Sequence, residues 1–262
     1  MVKGIEKFKE FFYGFEDSYV IIGGTACEIH ETVYAQIPRA TKDIDIILIV
    51  EALSPKFVER FWEFVKAGGY EQRNRGTSED ATRRHEYYRF LKPSDVGFPY
   101  QVELFSRNLG LLNFPEDAHL TPIPTSEDLS SLSAILMDDD YYHFTIAHST
   151  LQDWVHIADI ESLVCLKCKA FLEMTGRREQ GEQVDSRHIE KHKKDVFRLA
   201  AMLAPSDRFE LPDSLADDIR SFCEKVKQDL PNNDFLKSAG LKNITAEQIS
   251  NLLVHSFLGE EQ

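Results

Sequence analysis

Asp43 and Asp45 stand two residues apart at the head of an otherwise apolar run, Asp-Ile-Asp-Ile-Ile-Leu-Ile-Val. In a strand, side chains at i and i+2 share a face. The two carboxylates therefore stand side by side, while Ile44 and Ile46 face the other way. Neighbouring carboxylates repel each other and resist burial unless a positive charge lies between them. A hard divalent cation such as Mg²⁺ would supply that charge, because it takes oxygen ligands, commonly a few carboxylates together with substrate phosphates. A third acid, Glu103, lies between Val102 and Leu104 in a second apolar run, Tyr-Gln-Val-Glu-Leu-Phe-Ser. It would complete a site for one or two Mg²⁺ ions; the alternative is an exposed strand position paired with an arginine. Glu103 lying beyond a side chain's reach of the other two acids, or a lysine or arginine filling the cleft in the cations' stead, would end the case for this reading.

Upstream, Val-Ile-Ile-Gly-Gly-Thr-Ala reads as a strand, a diglycine turn at Gly23 and Gly24, and a helix start at Thr25. Glycine lets the backbone approach a phosphate closely, and a helix N-terminus carries free N–H groups with partial positive charge. The expected arrangement is a triphosphate-binding turn beside a metal site. Gly24 and Thr25 would hold the β- and γ-phosphates of a nucleoside triphosphate (NTP) through backbone N–H groups and the hydroxyl.

The elements that must position these residues follow from periodicity and punctuation. Residues 3–17 carry Ile5, Phe8, Phe11, Phe12 and Phe15 at helical spacing. A buried strand starts at Tyr19, and a helix follows the diglycine and ends by Pro38. The strand at 43–50 precedes a helix with Ser54 as N-cap, Pro55 at its first position and Gly68-Gly69 as its stop. Residues 71–84 read as a polar loop, and His85–Leu91 and Tyr100–Ser106 as two strands joined by a turn. A further strand is expected near 141–147 after the acidic run Asp138-Asp139-Asp140, itself read as a solvated turn. Helices are expected over 160–176, 186–204, 212–229 and 245–258. The fold class is α+β: a mixed-sheet core over residues 1–155, then a helical C-terminal region over 156–262.

Composition agrees with a soluble globular protein, 42% hydrophobic and 28% charged, with no apolar run long enough to span a membrane. The charged N-terminus lacks the apolar core of a signal peptide, and four cysteines make no disulfide scaffold; a cytoplasmic protein is expected. The net charge of −14 argues against a broad nucleic-acid-binding face. Only Lys167 to Arg198 turns positive, by about +3.

Taken together, the Gly-Gly-Thr-Ala turn, the Arg-Ala-Thr-Lys-Asp-Ile-Asp-Ile strand and the later Val-Glu-Leu strand resemble the nucleotidyltransferase superfamily related to polymerase beta. The Arg-x-Thr-x-Asp-x-Asp form, with Arg39 and Thr41, resembles its AbiEii-type branch, which includes toxins of bacterial toxin–antitoxin and phage-defence systems. The resemblance implies an enzyme that moves a nucleotide from an NTP to an acceptor hydroxyl, with Mg²⁺ held by Asp43, Asp45 and Glu103. It implies an acceptor on RNA or protein and, for a toxin, an antitoxin protein as partner. Leu-Val-Cys-Leu-Lys-Cys-Lys-Ala-Phe is similar to that branch's Lys-x-x-Ala helix and carries its functional lysine onto Lys167. Lys-His-Lys-Lys-Asp-Val-Phe-Arg-Leu carries an aspartate onto Asp195, and departs from the branch at Arg198, where a second Asp is usual. Lys167 and Arg39 would neutralise phosphate charge. Two alternatives stand beside this reading: transfer to a small cationic molecule such as an aminoglycoside, and a non-catalytic nucleotide- or partner-binding module.

A second constellation is weaker. Cys165-x2-Cys168 followed by His188-x3-His192 imitates a zinc-finger spacing, but both pairs fall in segments that read as long helices, so core cysteines and surface histidines are expected.

Overall fold

The computed structural model describes residues 2–38, 41–70, 86–106, 135 and 138–259. Helices and a six-stranded mixed sheet make it an α+β fold. The strands are β1 (Tyr19–Ile22), β2 (Asp43–Leu48), β3 (Glu86–Leu91), β4 (Gln101–Ser106), β5 (Ser149–Gln152) and β6 (Val155–Ala158), in the order β3-β4-β2-β1-β6-β5. β2 runs antiparallel to β1 and parallel to β4; β3–β4 and β5–β6 are antiparallel hairpins, and β1 pairs parallel with β6.

The chain forms two compact units, as far as their residues are described. The first draws on Met1–Ile29, Pro38–Thr125 and Ser149–Ala158; the second draws on His30–Ile37, Ser126–His148 and Asp159–Gln262. The division is interleaved, where the sequence reads as a single change near residue 155.

In the first unit, alternation along the strands separates two faces. Tyr19, Ile21, Ile44, Ile46, Leu48, Phe90, Val102 and Leu104 share one face and are buried. Helices α1 (Ile5–Phe12) and α3 (Pro55–Gly68) cover it through an aromatic cluster. Phe8 meets Tyr19 edge-on at 5.3 Å and Phe64 at 5.9 Å, and Phe61 meets Phe90 at 5.4 Å. Such ring pairs add to the area they bury. Ser54 caps α3 by accepting the Phe57 N–H, Pro55 opens the helix, and Gly69 ends it in a left-handed conformation, as its residue types predict. The opposite face of the sheet carries Asp43, Asp45, Gln101, Glu103 and Arg89.

The second unit is helical. Helix α5 (Ile160–Glu179) packs against α6 (Ser186–Ala200) and α7 (Asp213–Gln228), and α7 packs against α9 (Ala246–Leu258). Phe171 meets Phe222 and Phe197 meets Phe235 in its interior. The short α8 (Asn233–Ser238) is capped by Asn232, and α9 by a Thr245–Gln248 capping box.

One expected element changes type. Residues 139–147 form a helix, α4 (Asp139–Ala147), where a strand is expected. The aromatic run favours a strand by propensity, but Asp138 accepts the Asp140 and Tyr141 N–H groups as N-cap. The acidic run is thus a helix start, where carboxylates also meet the positive end of the dipole. Residues 71–84, read as a loop, lie outside the described residues.

Candidate active site on the sheet

The geometry begins at the end of β1. Ile22 lies opposite Asp45 on β2, so the residue after it, Gly23, turns the chain directly over the Asp45 side chain. Gly23 has φ +68° and opens helix α2 (Gly23–Val33). A Cβ built there would collide with the Asp45 carboxylate. Gly23 is required twice over, by its backbone conformation and by the closeness of that acid. Replacing Gly23 with Ala is expected to lower stability by about 1–2 kcal/mol from the left-handed conformation alone and to push Asp45 aside; urea denaturation checks the first effect.

Thr25 is fully buried, and the hydroxyl expected to meet a phosphate donates here to the Asp43 carbonyl oxygen at 2.5 Å. It pins the first turn of α2 to the head of β2. Glu28, buried one turn further along α2, accepts the Thr41 N–H at 3.2 Å and fixes the chain as it runs into β2. Gly24 is partly exposed at the helix start.

The parallel pairing of β2 with β4 places Asp43 level with Gln101 and Asp45 level with Glu103. Residues so paired share a face, so the three acids expected to act together occupy one face of two adjacent strands. Asp43 and Asp45 are partly exposed, whereas Glu103 is buried, 4% exposed. The antiparallel pairing of β3 with β4 sets Arg89 opposite Glu103. Its Nε and Nη2 both lie 2.6 Å from Glu103 Oε1, and Gln101 Nε2 donates to the same oxygen at 2.5 Å. The positive partner that a buried Glu103 demands is therefore an arginine. Strand order sets the Arg89 backbone on the side of β4 away from β2.

Among the described residues, no three His, Cys, Asp or Glu side chains converge closely enough to hold a metal ion as they stand. Arg39 lies outside the described residues. Neither Arg89, Gln101 nor Glu28 is singled out by motif spacing. Counting back from the β3–β4 turn would have paired Arg89 with Glu103.

Lys167 and Asp195 belong to the second unit. Lys167 Nζ lies 3.0 Å from Asp195 Oδ2, and both side chains are buried, at 9% and 3% exposed. The pair links α5 to α6 and brings together the two residues that the back-half resemblance singles out. His192 lies one turn before Asp195, with its Nδ1 buried and without a hydrogen-bond partner among the described residues. Burial, reinforced by the Lys167 ammonium, pushes its pKa down from 6.5 to about 3. The unfolded chain therefore binds a proton between those values that the folded chain does not, and stability falls as pH drops below about 6.5. By pH 5 the loss from this residue is expected to reach about 1–2 kcal/mol. A His192→Leu variant should show a smaller fall in melting temperature between pH 7 and pH 5 than the parent chain.

Arg198, the position that departs from the branch pattern, is buried and bonded through all three of its side-chain nitrogens. Its Nε donates to Glu31 Oε1 at 2.6 Å, and its two terminal nitrogens donate to the carbonyls of Ala239 and Ile37, each at 2.5 Å. Cys165 and Cys168 are buried on α5 with thiols pushed up by burial. No family profile, no curated protein and no solved structure matches this chain.

Proposed function

We propose that this chain is a metal-dependent nucleotidyltransferase that moves a nucleotide from an NTP to an acceptor hydroxyl. The observation that carries the reading is the Asp45 carboxylate lying against Gly23 at a strand–diglycine–helix corner, with Glu103 level with it on the neighbouring parallel strand. The donor set suits a hard divalent cation, being carboxylate oxygen throughout. Two partly exposed carboxylates, Asp43 and Asp45, together with substrate phosphates, are a sufficient set for Mg²⁺. Glu103, level with Asp45 on the neighbouring strand, is the third candidate ligand.

When bound, such an ion neutralises phosphate charge and orients the displacement. The chain's own contributions follow from the geometry. Gly24, partly exposed, leaves room for phosphates to approach the start of α2, where backbone N–H groups have no intrahelical partner, whereas the space beside Gly23 is taken by Asp45. Thr25 and Glu28 hold the corner and the head of β2 in register, so the acids are placed before substrate arrives.

The acceptor class is open to direct test. RNA or protein is the leading choice, and a toxin acting in this way would have an antitoxin protein as its partner. The net charge of −14 favours, as a second reading, a cationic small molecule such as an aminoglycoside. Among the described residues no helix is long and apolar enough to cross a membrane. The test supplies each NTP labelled at the α-phosphate, with Mg²⁺ or Mn²⁺, to total RNA, cell protein and a panel of aminoglycosides. Label is expected on one acceptor class. A folded protein that labels none of them would overturn the proposal in favour of a non-catalytic module.

A further inference from the structure

We propose that Ser149 and His156 form a nucleophile–base pair that takes the acyl group of an ester, a second activity apart from nucleotidyl transfer. The two residues meet across the β5–β6 hairpin. Ser149 lies opposite Ala158 and His156 opposite Leu151, so the two side chains share one face and stand on the diagonal. Ser149 Oγ lies 3.0 Å from His156 Nε2, and His156 Nδ1 lies 3.2 Å from the Glu16 carbonyl oxygen. Both residues are partly exposed. In the sheet β5 stands three strands from β2, about 14 Å at the usual strand spacing, so the pair is separate from Asp45.

The partners fix the roles. A carbonyl oxygen only accepts, so Nδ1 carries a hydrogen and, in the neutral ring, Nε2 keeps its lone pair. The hydrogen in the Ser149–His156 bond is then the serine's, and any other bond to that hydroxyl is one it accepts. Glu16 belongs to the 3-10 turn Glu16–Ser18, just before β1. Its carbonyl holds the imidazole in one tautomer, the part played by the third member of a nucleophile–base–orienter set. In the reaction, Oγ bonds to the ester carbonyl carbon while the hydroxyl proton passes to Nε2. The bond to the leaving alcohol then breaks, and His156 returns the proton to that alcohol. Water, giving a proton to the same nitrogen, attacks the acyl-serine, and the proton passes on to the serine oxygen as the acid leaves. Leu151, 59% exposed and opposite His156, offers apolar surface to a short acyl chain.

The test uses the full chain without metal or nucleotide. A fluorophosphonate is the probe, with the label located by peptide mass spectrometry, and p-nitrophenyl acetate is the ester. In the labelling, Oγ bonds to phosphorus, fluoride leaves and the proton goes to Nε2. The label is expected on Ser149, together with release of p-nitrophenol faster than in buffer. Ser149→Ala should abolish both. His156→Asn, whose amide can still donate toward Glu16 but offers no base, should slow labelling of Ser149 by at least about 100-fold. Thermal melting checks that each variant is folded.

A folded parent chain that leaves Ser149 unlabelled, or that releases p-nitrophenol no faster than buffer does, would overturn the inference. So would equal labelling of Ser149 in the parent and in folded His156→Asn. In each case the two hydrogen bonds only pin the hairpin to the turn before β1. Neither result bears on nucleotidyl transfer, which is read separately with metal and NTP present.

Discussion

If the chain acts as the proposed nucleotidyltransferase, replacing Asp45 with Asn is expected to lower transfer by roughly 1,000-fold with little change in folding. The substitution keeps size and shape and removes one ligand charge where phosphate charge must be neutralised. Charge stabilisation by a bound metal contributes several kcal/mol to such a transition state, and each 1.36 kcal/mol is about tenfold in rate. Asp45 is the acid with the most structural commitments. It faces Ile22, lies level with Glu103 and closes against Gly23. It is nonetheless partly exposed, so loss of its charge leaves no deeply buried orphan. The measurement is label transfer in initial-rate conditions, alongside thermal melting. A non-catalytic module would show the same partner binding in parent and variant.

The second large effect is on stability. Arg198→Met should destabilise the second unit by about 3–5 kcal/mol, the usual cost of breaking a buried ion pair from one side. It removes the arginine from the Glu31 carboxylate, 3% exposed, and removes donors from the carbonyls of Ile37 and Ala239. Glu31 and Ile37 lie close together in sequence and Ala239 far from both, so one side chain on α6 joins the end of α2 and the segment after it to the end of α8. The melting temperature should fall on the order of 10 °C. Changing Glu31 to Gln in the same chain should recover part of the loss, because the buried charge goes with its partner. If the single variant melts like the parent chain, the buried network contributes little.

Much of the first unit is readable from residue order. The alternation of Asp43, Ile44, Asp45 and Ile46 gives the face of β2, and the same alternation around Glu103 gives β4. Their parallel register then brings Asp45 level with Glu103. The glycine corner is legible because two successive glycines after a β-branched run end the strand and free the backbone to turn sharply. Other features are set by contacts that no local window holds. The acidic run before Tyr141 looks like a turn until its carboxylate is seen capping α4. The β5–β6 hairpin turns at Asp153 and Trp154, both at positive φ without a glycine, so the usual turn signal is absent. The six-residue α8 is too short to show a period. The interleaving of the two units depends on where residues 30–37 and 139–148 pack, which is a non-local choice. Arg89 stands in a strand that reads as aromatic, and its meaning comes only with the hairpin register.

The most direct test of the central claim is a crystal of the protein grown with Mn²⁺ and a non-hydrolysable NTP, with the ion located by its anomalous scattering. A peak is expected within roughly 2.0–2.6 Å of carboxylate oxygens of both Asp43 and Asp45, with the nucleotide's phosphates against Gly24. An ordered nucleotide whose ion lies away from both aspartates, or a corner that takes up neither ion nor phosphate, would contradict it.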